Sequence, residues 1–435
     1  MSPVTVGLIG VGVLLLMFLL RMPIAFAMAF VGFLGYCYLA SPEAGLKILI
    51  QDIFGQFSSY SLTVIPAFVL MGTYAFASGL SARLYAMAYA WFGRMRGGLT
   101  IATVAACAAF GAVSGSTSAT VATVGKITLP EMRKYNYDDT LSTGTLASSA
   151  TLSVLIPPST IFIVYGVLTE QSIGALFISG IIPGIIMTLL LALTVMYICL
   201  RHSSLAPISS VEIPFKDKLK SLNGAVEALI LFGLALGGLF AGWFTPTQAG
   251  GVGAAGVLVM GLARRQLGWR DFLQANMAGL RTSCMVLFLI TGAIVFGHFM
   301  AISRVPFILV ESIEGLAVSP VIIMGFIILF YFVGGCFIDA MAFITLTVPF
   351  IYPLVIELGF DPIWFGVIIV LVSGIGVITP PVGVNVYVIK GISPETPLGT
   401  IFKGVLPFLV PMIATIAILI AFPEIATFLP DLITW

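Results

Sequence analysis

The chain has 435 residues, 60% hydrophobic and only 9% charged, with a formal net charge of +1 and a mean hydropathy of +1.15. Soluble domains carry about 25% charged residues, so a water-exposed surface of ordinary size is excluded, and the near-zero charge excludes a basic field for nucleic acid. Five scattered cysteines, Cys37, Cys107, Cys199, Cys284 and Cys336, lie in apolar stretches without a CxxC pair, which argues for packed thiols over a disulfide framework or a zinc site. The fold class that follows is an all-α polytopic membrane protein.

In chain order, the N-terminal stretch lacks a basic n-region and an A-x-A site, so it reads as a first membrane helix and not as a cleaved signal. Apolar segments follow at about 4–20, 23–40, 62–80, 99–130, 141–168, 173–200, 224–244, 246–263, 282–302, 318–356, 362–389 and 404–423. The longest polar interval, 201–222, is too short for a domain, so any large soluble binding domain belongs to another chain. Basic residues cluster at Arg94 and Arg96, Arg133 and Lys134, the 201–222 loop, Arg264, Arg265 and Arg270, and Lys390 and Lys403. The positive-inside rule makes these gaps cytoplasmic. The acidic gaps at Glu43, Glu170, Glu311 with Glu314, and Glu357 with Asp361 are then outside.

Residues 99–130 have basic flanks at both ends, are too short for two crossings, and carry "SGSTS" (114–118) at their middle. They read as a re-entrant hairpin with a polar tip. Residues 318–356 repeat the layout with acidic flanks around "GGCFIDAMA" (334–342), so the second hairpin enters from outside. After each hairpin comes a helix with two consecutive prolines, Pro157 with Pro158 and Pro380 with Pro381. Proline removes an amide donor and clashes with the preceding turn, so both helices should break there. Superposing the prolines sets an offset of 223 residues, which also carries Pro23 onto Pro246 and Gly115 to within one residue of Asp339. Opposite flanks make the repeats inverted, and inverted repeats with discontinuous helices are a signature of secondary transporters.

The segments "RMPIAFAMAF", "GAVSGSTSATVATVGKITLPEM", "LIPPSTIFIVYG", "FTPTQAG", "FIDAMAFITLTVPFIYPL" and "ITPPVGVNVYVIKG" resemble the large membrane subunit of tripartite ATP-independent periplasmic (TRAP) transporters. The resemblance implies a prokaryotic inner-membrane, sodium-coupled importer of organic acids with an elevator-type transport unit. It also implies two partners, a small four-helix membrane subunit and a soluble periplasmic substrate-binding protein. Gln248 stands where the family often has an acidic residue.

At tips and breaks, unpaired carbonyls suit a sodium ion and unpaired amides suit a carboxylate. Ser114, Gly115 and Ser116 with Pro157 are the first candidate cation site, and Asp339 with Thr379, Pro380 and Gly383 the second. Thr117, Pro158, Ser159 and Asn385 are assigned to substrate. Small tip residues also serve close helix packing, and an intramembrane carboxylate such as Asp339 also suits proton carriage, substrate orientation or a structural hydrogen bond. His298 reads as a packed neutral side chain, Lys126 as snorkelling to the cytoplasmic interface, and Arg304 as an outer helix end. The stretches 81–96, 266–281 and 303–317 read as interfacial helices.

The expected organisation is scaffold helices and an arm at 1–98, first transport elements at 99–172, and a connector, loop and second scaffold at 173–317. Second transport elements at 318–392 and a last helix at 393–435 complete it. No catalytic residue, organic cofactor or metal beyond sodium is expected. A membrane hydrolase using Ser114 or Ser116 lacks a placed histidine and a GxSxG elbow. A stand-alone anion symporter and a channel are the remaining alternatives.

Overall fold

The structure, a computed structural model, describes residues 1–207, 214–314 and 318–433. The middle of the 201–222 loop, the last residues of the 303–317 stretch and the side chain of Glu314 lie outside what is described. The described residues form helices and no strand. The first half comprises α1 (Pro3–Leu19), α2 (Ile24–Leu39), α3 (Pro42–Ser58), α4 (Val64–Ala77), α5 (Leu80–Phe92), α6 (Gly98–Ser114), α7 (Thr117–Lys134), α8 (Asp139–Ala150), α9 (Leu152–Leu155), α10 (Thr160–Thr169), α11 (Ile173–Ser179) and α12 (Ile181–Arg201). The second half comprises α13 (Phe215–Phe232), α14 (Gly238–Phe240), α15 (Pro246–Ala263), α16 (Trp269–Ser303), α17 (Val305–Glu314), α18 (Pro320–Phe337), α19 (Ala340–Glu357), α20 (Pro362–Gly376), α21 (Val384–Ile392), α22 (Leu398–Ala421) and α23 (Glu424–Asp431).

Local chemistry sets the helix starts. Ser41, Ser116, Asp138, Ser159, Ser172, Thr245, Asp339 and Asp361 each accept a hydrogen bond from an amide of the first turn, satisfying donors that the helix itself leaves free. Gln248 completes a capping box on α15, its side chain accepting from the Thr245 amide at 3.0 Å, so the neutral amide does the local work of a carboxylate at that position. Along α12, Met187, Leu191, Val195 and Cys199 are buried while Ile185, Leu189, Leu193 and Leu200 are exposed. This apolar helix thus has one face on protein and one left for lipid.

Among the described residues, six helices are long and apolar enough to cross a bilayer, or up to eight if each bent pair counts as one span. The bent pairs are α3 with the stretch Ser61–Ala77, at 57°, and α8–α9 with α10, at 40°. Two elements differ from expectation. Residues 42–58, read as part of an acidic gap, form the full helix α3. Residues 266–281, read as a separate interfacial helix, are largely the first turns of α16, which runs unbroken for 35 residues, about 52 Å against a hydrocarbon core of about 30 Å.

The hairpins are formed by α6 with α7 and by α18 with α19, and each tip abuts its own helix break. A Cβ on Gly111 would stand 2.7 Å from Ser153 Cα. In the second half Gly335 is similarly close to the backbone of Ser373 and Gly376. The arms α18 and α19, 18 residues each, are long enough to span. Their tip is nonetheless held at the level of the interrupted helix, because the Val382 and Gly383 amides both donate to the Cys336 carbonyl at 3.3 Å.

Polar contacts join the two halves. Arg133 at the end of α7 bonds Asp139 (3.1 Å), Thr396 (2.8 Å), Ser393 and Glu395. Elsewhere the Tyr165 hydroxyl donates to the Pro362 carbonyl (2.6 Å) and the Gln171 amide to the Tyr352 hydroxyl (3.0 Å). The arm α5 is tied instead to α13 and to the α15–α16 turn. The buried carboxylate of Glu227 receives Arg83 (2.9 Å) and Arg264, while Arg83 also bonds Gln266.

Candidate transport site

A cavity of about 760 Å³ lies between the hairpin tips and the helices α4 and α16. The first tip contributes Ser114, Ser116 and Ser118, the start of α10 contributes Thr160, and the second tip contributes Asp339 and Met341. Thr73 on α4 and Asp271, Gln274 and Thr282 on α16 face them. The α16 lining begins at Asp271, beside Arg270 and the Arg264–Arg265 pair, so the positive-inside rule puts the mouth on the cytoplasmic side.

The first tip turns at Gly115, whose φ of +60° lies in the left-handed region open to glycine without a steric cost. Its carbonyl accepts from the Thr160 hydroxyl at 2.9 Å, Ser114 and Thr120 share a hydrogen bond at 2.8 Å, and Ser116 caps α7. These bonds hold the tip against the first break, where Pro157, Pro158 and Ser159 are buried and Ser159 caps α10. At the second tip, Asp339 caps α19 by accepting from the Met341 amide at 3.0 Å with Oδ1. The second break differs in exposure: Pro380 and Pro381 are exposed, and both diproline bonds are cis. Thr379 spends its hydroxyl on the Ile375 carbonyl at 2.7 Å, and Gly383 has φ +63°.

Of the residues singled out in the sequence, Ser114, Ser116 and Asp339 line the cavity. Gly115, Pro157, Pro158, Ser159, Thr379, Pro380 and Gly383 form the backbone behind the tips, and Thr117 is buried in the first turn of α7. Asn385 does not face the cavity. It is fully buried, its Oδ1 accepts from the Ser118 hydroxyl at 3.4 Å, and it joins the second break to the first hairpin. His298 is not a packed core residue either: its side chain is 46% exposed and its Nε2 lies 3.3 Å from Asp52 Oδ1 on α3.

Residues 11–425 match the family described as tripartite ATP-independent periplasmic transporter, DctM component. The chain belongs to the TRAP transporter large permease family. It is 33% identical to the C4-dicarboxylate TRAP transporter large permease protein DctM of Pseudomonas aeruginosa, over 90% of this chain and 91% of that one. It is 31% identical to the sialic acid TRAP transporter large permease protein SiaM of Vibrio cholerae, over 94% and 95% of the two chains. The fold is also similar to the crystal structure of the Alcanivorax borkumensis YdaH transporter, with a TM-score of 0.65 and 16% identity over 88% of this chain and 90% of that one.

The permease is accordingly a transport protein and not an enzyme, an inner-membrane component of a secondary import system for organic acids. Its family works with a small membrane subunit and a periplasmic binding protein. Sequence reading missed the wall opposite the tips, Thr73, Asp271, Gln274 and Thr282. No local motif marks them, since they come from helices whose own pattern is that of a scaffold. Ser118 and Thr160, by contrast, adjoin motifs already singled out.

Proposed function

We propose that the permease imports a carboxylate anion, handed over by the periplasmic binding protein, in symport with sodium. In this reading residues 99–172 and 318–392 move as one unit against the remaining helices. The observation that carries it is the convergence of the two hairpin tips, the start of one broken helix and the tip carboxylate Asp339 on one cavity. Motion as one unit is supported by the bonds that join its two parts, Tyr165 to Pro362, Gln171 to Tyr352 and Ser118 to Asn385. The names of the relatives, a C4-dicarboxylate permease and a sialic acid permease, support an organic acid as cargo.

Sodium suits the chemistry because hydroxyls, backbone carbonyls and one carboxylate are hard oxygen donors, while an uncompensated anion in a low-dielectric site is costly. Each charge carried across the membrane is worth about 2.3 kcal/mol per 100 mV. One sodium with one monoanion is electrically silent, so strong accumulation calls for at least two sodium ions.

The test is uptake into proteoliposomes holding the permease, its small subunit and the binding protein, with sodium or choline outside. Uptake should require sodium and should be lost in Asp339→Asn, which keeps the cap on α19 and removes the charge. Equal uptake in choline refutes sodium coupling, and full activity in Asp339→Asn refutes the role of the carboxylate.

A further inference from the structure

The wall facing the hairpin tips carries its own chemistry. Gln274 and Thr282 lie two turns apart on α16, both exposed to the cavity, and α4 adds Thr73, whose hydroxyl donates to the Leu70 carbonyl at 3.1 Å and keeps its acceptor capacity. Among the described residues, no Lys, Arg or His lines the cavity. Its charged side chains are two carboxylates, Asp339 at the tip and Asp271 on the opposite wall.

A carboxylate entering this space can meet the hydroxyls of Ser114, Ser116 and Thr160 together with the cations that accompany it. A second carboxylate on the same molecule would reach a wall without the guanidinium or ammonium that normally matches it, and with Asp271 repelling it. Hydroxyl and amide groups fit there, because a glutamine amide and a threonine hydroxyl both donate and accept. A volume of about 760 Å³ lies toward the upper part of the roughly 300–1,000 Å³ range of small-molecule pockets, so a compact diacid held at the tips would leave the far wall unengaged.

We infer that the α4–α16 wall selects a singly charged, polyhydroxylated carboxylate, an anion of the sugar-acid class, over a compact dicarboxylate. Gln274 and Thr282 are the specificity-determining residues, and Asp271 excludes a second negative charge. The inference rests on the reading of the cavity as the transport site.

The experiment uses the permease with its small subunit in nanodiscs, without the binding protein, so that the cavity alone is read. D-glucuronate, D-gluconate, succinate and L-malate are titrated in sodium and in choline, with binding followed by calorimetry and by the unfolding midpoint. At least one sugar acid should bind in sodium, and succinate and malate should bind more weakly. Gln274→Ala and Thr282→Val should each weaken sugar-acid binding by about tenfold, the scale of one lost hydrogen bond. Asp271→Asn should improve succinate binding.

Succinate or malate binding as tightly as either sugar acid overturns the inference and leaves the symport reading standing. Sugar-acid affinity unchanged in both α16 variants likewise overturns the role of the wall. Sugar-acid binding that is equal in choline leaves this selectivity intact and refutes sodium coupling instead. Binding of none of the four anions overturns the inference.

Discussion

Replacing Gly115 by alanine tests whether the first hairpin must sit in its break for transport to occur. The residue has φ +60°, where a side chain costs about 1–2 kcal/mol. A Cβ there would stand 2.7 Å from the Pro158 carbonyl oxygen and 3.2 Å from the Thr160 amide nitrogen. Both are backbone atoms that cannot rotate aside, so relief requires moving the tip, at roughly 1–3 kcal/mol for overpacking. Displacing the tip also breaks the bond from the Thr160 hydroxyl to the Gly115 carbonyl, about 1 kcal/mol more. A penalty of about 3–6 kcal/mol on the seated hairpin corresponds to an affinity loss on the order of a hundred- to ten-thousand-fold. The assay is sodium-titrated uptake in proteoliposomes containing equal amounts of variant and wild-type permease. Gly251→Ala is the control, because a Cβ on that α15 glycine meets no atom within 4 Å and should leave uptake unchanged. A Gly115→Ala permease with the sodium dependence of the wild type would refute the reasoning.

Glu227→Gln should destabilise the scaffold by about 1.5–3 kcal/mol, because it weakens the charge-assisted bonds that Arg83 and Arg264 make with a carboxylate only 7% exposed. Thermal unfolding in nanodiscs checks this, and an unchanged midpoint counts against the clamp. Arg133→Ala should lower the unfolding midpoint more than Glu395→Ala does, since Arg133 also holds Asp139, Ser393 and Thr396 whereas the Glu395 side chain is 57% exposed; equal effects would reduce the network to one surface ion pair. With the five native cysteines replaced by serine, Ala278→Cys in the cavity lining should react with a membrane-impermeant maleimide added from the cytoplasmic side and not from outside. Labelling from outside alone would contradict the orientation of the cavity.

Much of the transport machinery was legible because it depends on local chemistry. A glycine between two serines, a pair of prolines and an aspartate in an apolar run each dictate a turn, a break or a cap within a few residues, and the structure places them at hairpin tips and helix breaks. Elsewhere local signals misled. Helix α3 carries Glu43, Lys47, Gln51 and Asp52, which lower its apolarity below that of a span, yet Ser41 and Pro42 start a helix that nothing interrupts before Ser58. Without α3, the partner of His298 could not be foreseen. The charges Arg270, Asp271 and Arg281 suggested an interfacial segment, but no proline or cap separates them from the apolar turns that follow, so α16 continues. Asn385 has the expected chemistry but stands one layer behind the cavity, fully buried against Ser118, which itself lines it.

The sequence by itself determined that the chain lives in lipid, where the prolines break helices and which residues turn the tips, since solvation, proline geometry and capping are properties of single residues and near neighbours. Only the tertiary structure decided what stands opposite those tips. Asp339 and Ser114 meet Gln274 and Thr282 across one cavity because separate helices from both halves pack together, and such contacts between segments far apart in the chain leave no periodicity in either one.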